Sequence, residues 1–314
     1  MAKVILVGEP MALFIASQEG TLDTVTDFKR SAAGAEMNVA IGLKRLEHDV
    51  CYITKLGKDP FGRYLKDFLD KEKINTDLIC FDDHFPTAFQ LKAKTSKGDP
   101  DVAYYRNGSA ASNLKVEDVE DIDMKGFDHF HLTGIFPALS DRSRSTMLYL
   151  IEKAKNNHLT TSFDPNLRPS LWNSSADMVS TINKIACRCD TVLPGISEGK
   201  ILTGYDHERD IADFYLDKGV KTVVIKCGPK GCYVKTQTEE NYFDGYKVEK
   251  VVDTVGAGDG FAVGYISGIL EKLPTTVCAD RANAIGALQV MHVGDNEGLP
   301  TREQLADFMA QKNK

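Results

Sequence analysis

The chain reads as an α/β protein: a mostly parallel sheet covered by helices on both faces, three layers in all, with a small β-sheet flap outside the core. Three observations carry this. Short apolar, often β-branched runs at residues 4–7, 50–54, 129–133, 160–163, 190–193 and 222–226 alternate with amphipathic stretches at 36–47, 61–72, 142–156, 176–186 and 206–217, the pattern of repeated strand–helix units. Two stretches, 13–31 and 85–111, break that rhythm and alternate like exposed strands, so they are expected to pair with each other as a flap inserted into the core. No internal repeat or Pro/Gly/Ser-rich linker divides the 314 residues; residues 1–314 are read as one domain.

Composition narrows the class. A hydrophobic content of 42% supports a substantial core, and a net charge of −7 argues against a nucleic-acid or anionic-membrane surface, both of which need a basic footprint. The opening apolar run is broken by Gly8 and Glu9 and reads as a buried first strand rather than a signal peptide. No window reaches the apolar length of a membrane span. Seven irregularly spaced cysteines suggest reduced thiols and a cytoplasmic protein; Cys187 and Cys189 are read as structural.

Taken in order, the first strand is followed by the first flap segment and then by Ser31-Ala32-Ala33-Gly34, small residues before a helix that carries Asn38 one turn in. Residues 57–62 read as a turn and helix start. The second flap segment has a turn at 97–100 and ends in Tyr104-Tyr105-Arg106; from pattern alone Arg106 fits a solvated strand end as well as a binding group. Phe163-Asp164-Pro165-Asn166-Leu167-Arg168 closes a strand and opens a proline-bounded loop, where α/β proteins hold ligands. Arg168 is expected to face that cleft. Leu193-Pro194-Gly195-Ile196-Ser197-Glu198 follows another strand and opens a helix, and residues 224–232 form strand, glycine turn and strand.

The stretch with most chemistry is Asp253-Thr254-Val255-Gly256-Ala257-Gly258-Asp259, preceded by a strand end at 248–252 and followed by a long apolar helix. Gly256, Ala257 and Gly258 let an anion approach unpaired N–H groups at the positive end of a helix dipole, and phosphate is the natural guest. A carboxylate at Asp259 would repel that guest, so it makes sense as a base taking the proton of an attacking hydroxyl while the N–H groups stabilise charge on a phosphoryl group. No Lys-Ser or Lys-Thr follows the glycines, so this is not a Walker A loop.

The 253–259 string resembles the C-terminal signature of the ribokinase-like (pfkB) family of carbohydrate kinases. That resemblance implies the ribokinase-like fold, with 13–31 and 85–111 as its lid, Asp259 as catalytic base and residues 256–258 as anion hole. Residues 33–38 resemble the N-terminal signature, with Ala33 in place of its first glycine, which places Gly34 and Asn38 against sugar hydroxyls. Tyr-Tyr-Arg at 104–106 and Asp-Pro-Asn-Leu-Arg-Pro at 164–169 resemble the 2-keto-3-deoxygluconate kinases of that family. By this likeness Tyr104, Tyr105, Arg106 and Arg168 contact the substrate, the arginines gripping its carboxylate. Asp295 is expected to take a hydroxyl or to be an ordinary turn residue. The expected reaction is ATP-dependent phosphorylation of 2-keto-3-deoxy-D-gluconate at O6, with a fructokinase-like neutral-sugar kinase as the alternative and a non-catalytic sensor as a reading of another class.

On the nucleotide side the resemblance assigns Ser197, Lys226, Gly228, Gly231, Gly256, Gly258 and Asn283 to ATP, with Asn283 bordering the adenine. Glu198 would organise magnesium indirectly, although Gly195 stands where the family has Asn. A monovalent cation such as K+ near Asp253 is a further expectation, as is a homodimer or higher homo-oligomer through the lid.

Overall fold

The computed structural model describes residues 1–95 and 100–311. The turn read at 97–100 therefore falls outside the described residues apart from Pro100. Thirteen strands are described: β1 Lys3–Val7, β2 Met11–Glu19, β3 Phe28–Ala33, β4 Asp49–Gly57, β5 Ile79–Asp82, β6 Phe89–Lys94, β7 Val102–Tyr105, β8 His129–Thr133, β9 Thr160–Asp164, β10 Thr191–Val192, β11 Thr222–Lys226, β12 Cys232–Thr236 and β13 Glu240–Phe243. The helices are α1 Ala35–Arg45, α2 Pro60–Lys71, α3 Asp141–Asn156, α4 Ser175–Ala186, α5 Ile196–Thr203, α6 Glu208–Leu216, α7 Ala257–Leu270, α8 Thr275–Gln289 and α9 Arg302–Gln311.

The main sheet runs in the order β13-β12-β11-β10-β9-β8-β1-β4-β5. From β11 to β5 all pairings are parallel, and only the β11–β12 and β12–β13 pairs are antiparallel. Strands such as β1 and β8, buried along nearly their whole length, read as continuous apolar runs because helices cover both faces. One face carries the cluster around Phe130, Leu150, Phe163, Ile182 and Tyr215. The other carries Leu6, Ile41, Tyr52, Val263 and Ile285, continued at its far end by Val224, Phe261 and Tyr265.

Helix α7 is buried from Asp259 through Gly268, which explains why its sequence is apolar all round. It presses closely on α8: a Cβ at Gly264 would meet the Ala282 backbone at 2.5 Å, and one at Gly268 would meet Cys278 at 2.6 Å. Glycines one turn apart thus allow backbone contact that holds the N-terminus of α7 at the carboxyl ends of β1, β9 and β11.

The two segments outside the core rhythm form a separate sheet, ordered β3-β2-β6-β7, in which β2 and β6 pair in parallel and join two hairpin-like pairs. The strand expected at 248–252 is absent; that stretch is irregular, tied down at Val252 and Asp253 by N–H bonds to the Val290 carbonyl. Val251 and Val252 there are exposed rather than buried in a sheet. The short β5 and β13, and the terminal α9, escaped the sequence reading because each is too brief or too polar to show a clear period. All seven cysteines are free.

Candidate active site

A cavity of about 390 Å³ lies between the flap and the carboxyl ends of the core strands, within the size range of small-molecule sites. Gly256, Gly258 and Asp259 of the α7 start line it. Gly256 caps the helix in the left-handed region, φ 78°, and any Cβ there would lie 2.3 Å from the Asp295 carbonyl oxygen. Only glycine meets both demands. Asp259 is 8% exposed. It accepts a hydrogen bond from the Asn38 amide at 2.8 Å and a longer one from the Asn166 amide at 3.4 Å. Burial raises its carboxyl to about 7, with Asn38, Arg168 and Lys226 pulling the other way and Asp164 adding to the rise. A carboxyl of that character takes and gives protons near neutrality.

Asn38 was expected against sugar hydroxyls. It lines the cavity, but its amide donates to Asp259 and its carbonyl oxygen accepts from Asn296 at 3.3 Å. Both ends are therefore engaged within the protein, and its work is to hold the carboxylate. Gly34, at φ 145°, caps α1 and brings the backbone against Glu9 and Pro10, where a Cβ would be 2.9 Å from the Glu9 carbonyl.

Strand ends supply the opposite wall. Asp164, at the end of β9, accepts both bonds of the Lys226 ammonium from the end of β11, at 2.7 and 2.8 Å. Burial raises the Asp164 carboxyl; burial alone would lower Lys226, but Asp164 and Glu198 outweigh it and raise the lysine. The Lys226 Nζ sits 3.6 Å from where a Cβ on Gly258 would stand, so a positive charge borders the α7 N-terminus. Glu198 accepts from the Leu167 and Gly195 N–H groups, each at 2.7 Å, and so pins the 164–168 loop to the start of α5. Arg168 faces the cavity. Its guanidinium bonds only to the Leu167 and Asn166 carbonyls, at 3.0 and 3.4 Å, and it forms no ion pair among the described residues.

From the flap, Tyr104 and Arg106 line the cavity while Tyr105 does not. Strand alternation decides this: Tyr104 pairs with Gln90 on the inner face, and Tyr105 pairs with Phe89 on the outer face, stacked at 4.6 Å. Tyr105 is thus corrected from substrate contact to part of an aromatic group with Phe14, Phe61 and Phe89. Arg106 is buried and already paired, its Nε and Nη2 reaching Glu9 Oε2 at 2.7 and 2.6 Å. Ser109 bonds the other Glu9 oxygen.

The same inner face carries Lys92, whose Nζ meets Asp253 Oδ2 at 2.7 Å and Asp295 Oδ1 at 3.6 Å. Asp295 lines the cavity as expected; burial raises its carboxyl to about 6, opposed by Lys92.

The remaining nucleotide-side residues lie outside this cavity. Ser197 is exposed on the first turn of α5, and Gly228 sits in an exposed turn at φ 60°. Gly231 lets β13 approach, since a Cβ would fall 2.0 Å from the Phe243 carbonyl oxygen. The Asn283 amide donates to the Phe243 and Asp244 carbonyls at 3.3 Å. Ala257 follows the cap, its N–H bonded to the Thr254 carbonyl at 3.4 Å.

Sequence reading missed Glu9, Glu36, Gln90, Lys92 and Asn166 as cavity groups. Glu36 is 1% exposed, raised by burial to about 7 despite the Thr133 hydroxyl bond at 2.5 Å. A glutamate at the start of an otherwise small and apolar helix was the available signal. For Lys92 and Gln90 the signal was their alternation with Phe89 and Leu91 in a strand.

The pfkB family carbohydrate kinase pattern matches residues 1–302. The 2-dehydro-3-deoxygluconokinase of Bacillus subtilis (strain 168) is 47% identical over 304 residues, covering 96% of this chain and 94% of that protein. Among solved structures, a PfkB protein from Polaromonas sp. JS666 superposes with a TM-score of 0.90 at 39% identity, covering 98% of this chain and 99% of that one. A fructokinase double mutant from Vibrio cholerae O395, solved with fructose, ADP and a potassium ion, gives a TM-score of 0.87 at 26% identity, over 98% of each chain.

Proposed function

The chain belongs to the pfkB family of carbohydrate kinases, and from that premise we infer that it transfers the γ-phosphoryl group of ATP to the 6-hydroxyl of 2-keto-3-deoxy-D-gluconate, the 2-dehydro-3-deoxygluconokinase reaction. The observation that carries the reading is Asp259: a buried carboxyl raised to about 7, held by Asn38, in the first turn of a helix whose Gly256 and Gly258 line the same cavity. The B. subtilis relative at 47% identity supports the choice of acceptor.

The acceptor hydroxyl attacks the γ-phosphorus as its proton passes to Asp259, the bond from phosphorus to the bridging oxygen breaks, and ADP leaves with that electron pair. The N–H groups of Gly256 and Gly258 stabilise charge on the transferred oxygens, the Ala257 N–H being bonded to the Thr254 carbonyl. Lys226, with its charge beside Gly258, reinforces them.

For the carboxylate of the acceptor, Arg168 is a cavity cation without an ion pair among the described residues, its guanidinium bonded to backbone carbonyls alone. Arg106 offers the N–H groups that Glu9 leaves over. Tyr104, Gly34 and Asp295 complete the acceptor wall, while Ser197, Gly228, Gly231 and Asn283 lie on the nucleotide side. Magnesium would be carried chiefly by the nucleotide, with Glu198 and Asp164, which line the cavity, as nearby acids. When bound, the ion neutralises phosphate charge.

A fructokinase-like activity draws on one observation, the ion pair with Glu9 that already engages part of Arg106. An ADP-release assay over sugar acids and neutral sugars decides: strong preference for the keto-deoxy acid supports this reading, preference for fructose supports the other, and no turnover with any acceptor removes both. A cytoplasmic location accords with the seven free thiols. Dimerisation through the flap would cover the half-exposed Tyr105 on its outer face; a monomer by light scattering would end that idea.

A further inference from the structure

The monovalent cation expected near Asp253 does not fit the residues present, and that misfit carries an inference that rests on the kinase reading. Two loops converge behind the anion-binding turn. Asp253 accepts the Val255 N–H with Oδ1 at 3.1 Å and the Gly294 N–H with Oδ2 at 3.3 Å. The Gln289 amide ties the Gly294 and Val255 carbonyls together at 2.8 and 3.4 Å, and the Asp295 carbonyl packs against Gly256. This places two acids, the buried Asp295 and Asp253 with its side chain 10% exposed, directly behind the cap of α7. Two such carboxylates require a counter-charge.

Lys92 supplies it from the flap. Its side chain is 5% exposed, with Nζ 2.7 Å from Asp253 and 3.6 Å from Asp295. The Asp295 Oδ1 atom has no hydrogen-bond partner, so Lys92 is the charge that faces it. A potassium ion beside Asp253 would have to displace an ammonium that is already buried and paired. An ammonium is a compact point charge of the same sign and size class as a monovalent cation.

We propose that Lys92 is a built-in monovalent cation: a positioning residue of the flap that neutralises Asp253 and Asp295, sets the anion-binding turn, and makes catalysis independent of potassium. One consequence is coupling. The turn before α7 has its counter-charge only while the flap strand β6 lies across it, so flap position and phosphate-site geometry are linked through one side chain.

The test compares wild type, Lys92→Ala and Lys92→Arg in tetramethylammonium buffer with added NaCl, KCl or NH4Cl at matched ionic strength. For wild type, kcat and the melting temperature are expected to be the same in all of these salts. Lys92→Ala is expected to lose about 10²-fold in kcat, the scale for displaced catalytic geometry, and to recover both kcat and melting temperature with K+ or NH4+ but not with Na+. Lys92→Arg keeps the charge and is expected to gain nothing from K+. Potassium activation of wild type overturns the proposal, as does an alanine variant that is fully active or that no cation rescues. If Lys92→Ala does not fold, the wild-type ion series decides alone. Ion-specific melting needs no substrate, so it is read separately from a failure of the kinase reading, which would appear as no ADP release by wild type in any salt.

Discussion

Replacing Asn38 by alanine should move the pH dependence of the reaction without removing any group from the acceptor or nucleotide. The Asn38 amide donates to Asp259 Oδ2 at 2.8 Å inside a buried site, and it is the largest influence opposing the burial that, on balance, raises this carboxyl to about 7. A hydrogen bond to an ionised group contributes about 1.5–3 kcal/mol, and one pKa unit corresponds to about 1.36 kcal/mol, so its loss raises Asp259 by roughly one to two units. The sign follows from the role: a base works when deprotonated, so activity falls as pH drops through its pKa, and raising that pKa moves the acidic limb upward. The acidic limb of kcat/KM is expected near pH 7 in wild type and about one to two units higher in Asn38→Ala. The assay is coupled ADP release from about pH 5 to about pH 10, with coupling enzymes in excess at each pH. Because the alanine also frees the Asn296 amide, which bonds Asn38 at 3.3 Å, Asn296→Ala serves as control and should leave the limb in place. An unmoved limb in Asn38→Ala, at unchanged melting temperature, would refute Asp259 as the titrating base.

Asp259→Asn is expected to reduce kcat by about 10²–10⁴-fold while leaving nucleotide affinity nearly intact, with affinity measured by calorimetry; full activity would sink the assigned role. Arg168→Ala should raise KM for the keto-deoxy acid by roughly tenfold or more while barely affecting a neutral sugar, since a charged hydrogen-bonded contact is lost; Arg106→Ala should erode the same ratio less, Glu9 having taken part of its capacity. Equal effects of the two substitutions, or none, would contradict the division. His48, His129 and His131 are buried and lowered by burial to about 4, 4 and 3. At these three sites the unfolded chain binds protons that the folded chain does not, a contribution that lowers stability as pH drops from about 6.5 towards 4, by about 2 kcal/mol per histidine at pH 5. Glu36, Asp259 and Asp295, raised by burial, bind protons over the same window and act in the opposite sense, so the check is the titration of the histidines themselves by NMR, and imidazole signals that titrate near 6.5 would show that they are not held neutral.

Local pattern was enough for much of this molecule. The alternation of apolar runs with amphipathic stretches revealed the parallel core because strand and helix periods differ and each is written in a dozen residues or fewer. Residues 253–259 suggested the phosphate site and base proposed here because the small residues and the acid are contiguous. The flap was visible as two stretches without helical period, and strand alternation within 102–106 already contained the separation of Tyr104 from Tyr105, had it been applied.

What the linear order could not contain was the pairing of charges. Glu9 with Arg106, Asp164 with Lys226, and Lys92 with Asp253 are separated by 97, 62 and 161 positions, and no local period links them. The residue types and contiguous motifs of the sequence therefore determined the fold class, the anion-binding turn and the candidate base. Which cations remain available to a ligand and which acids are already neutralised was decided only by the tertiary structure, because Coulomb energy and desolvation depend on distance in space and on burial, and neither quantity exists until the chain has folded.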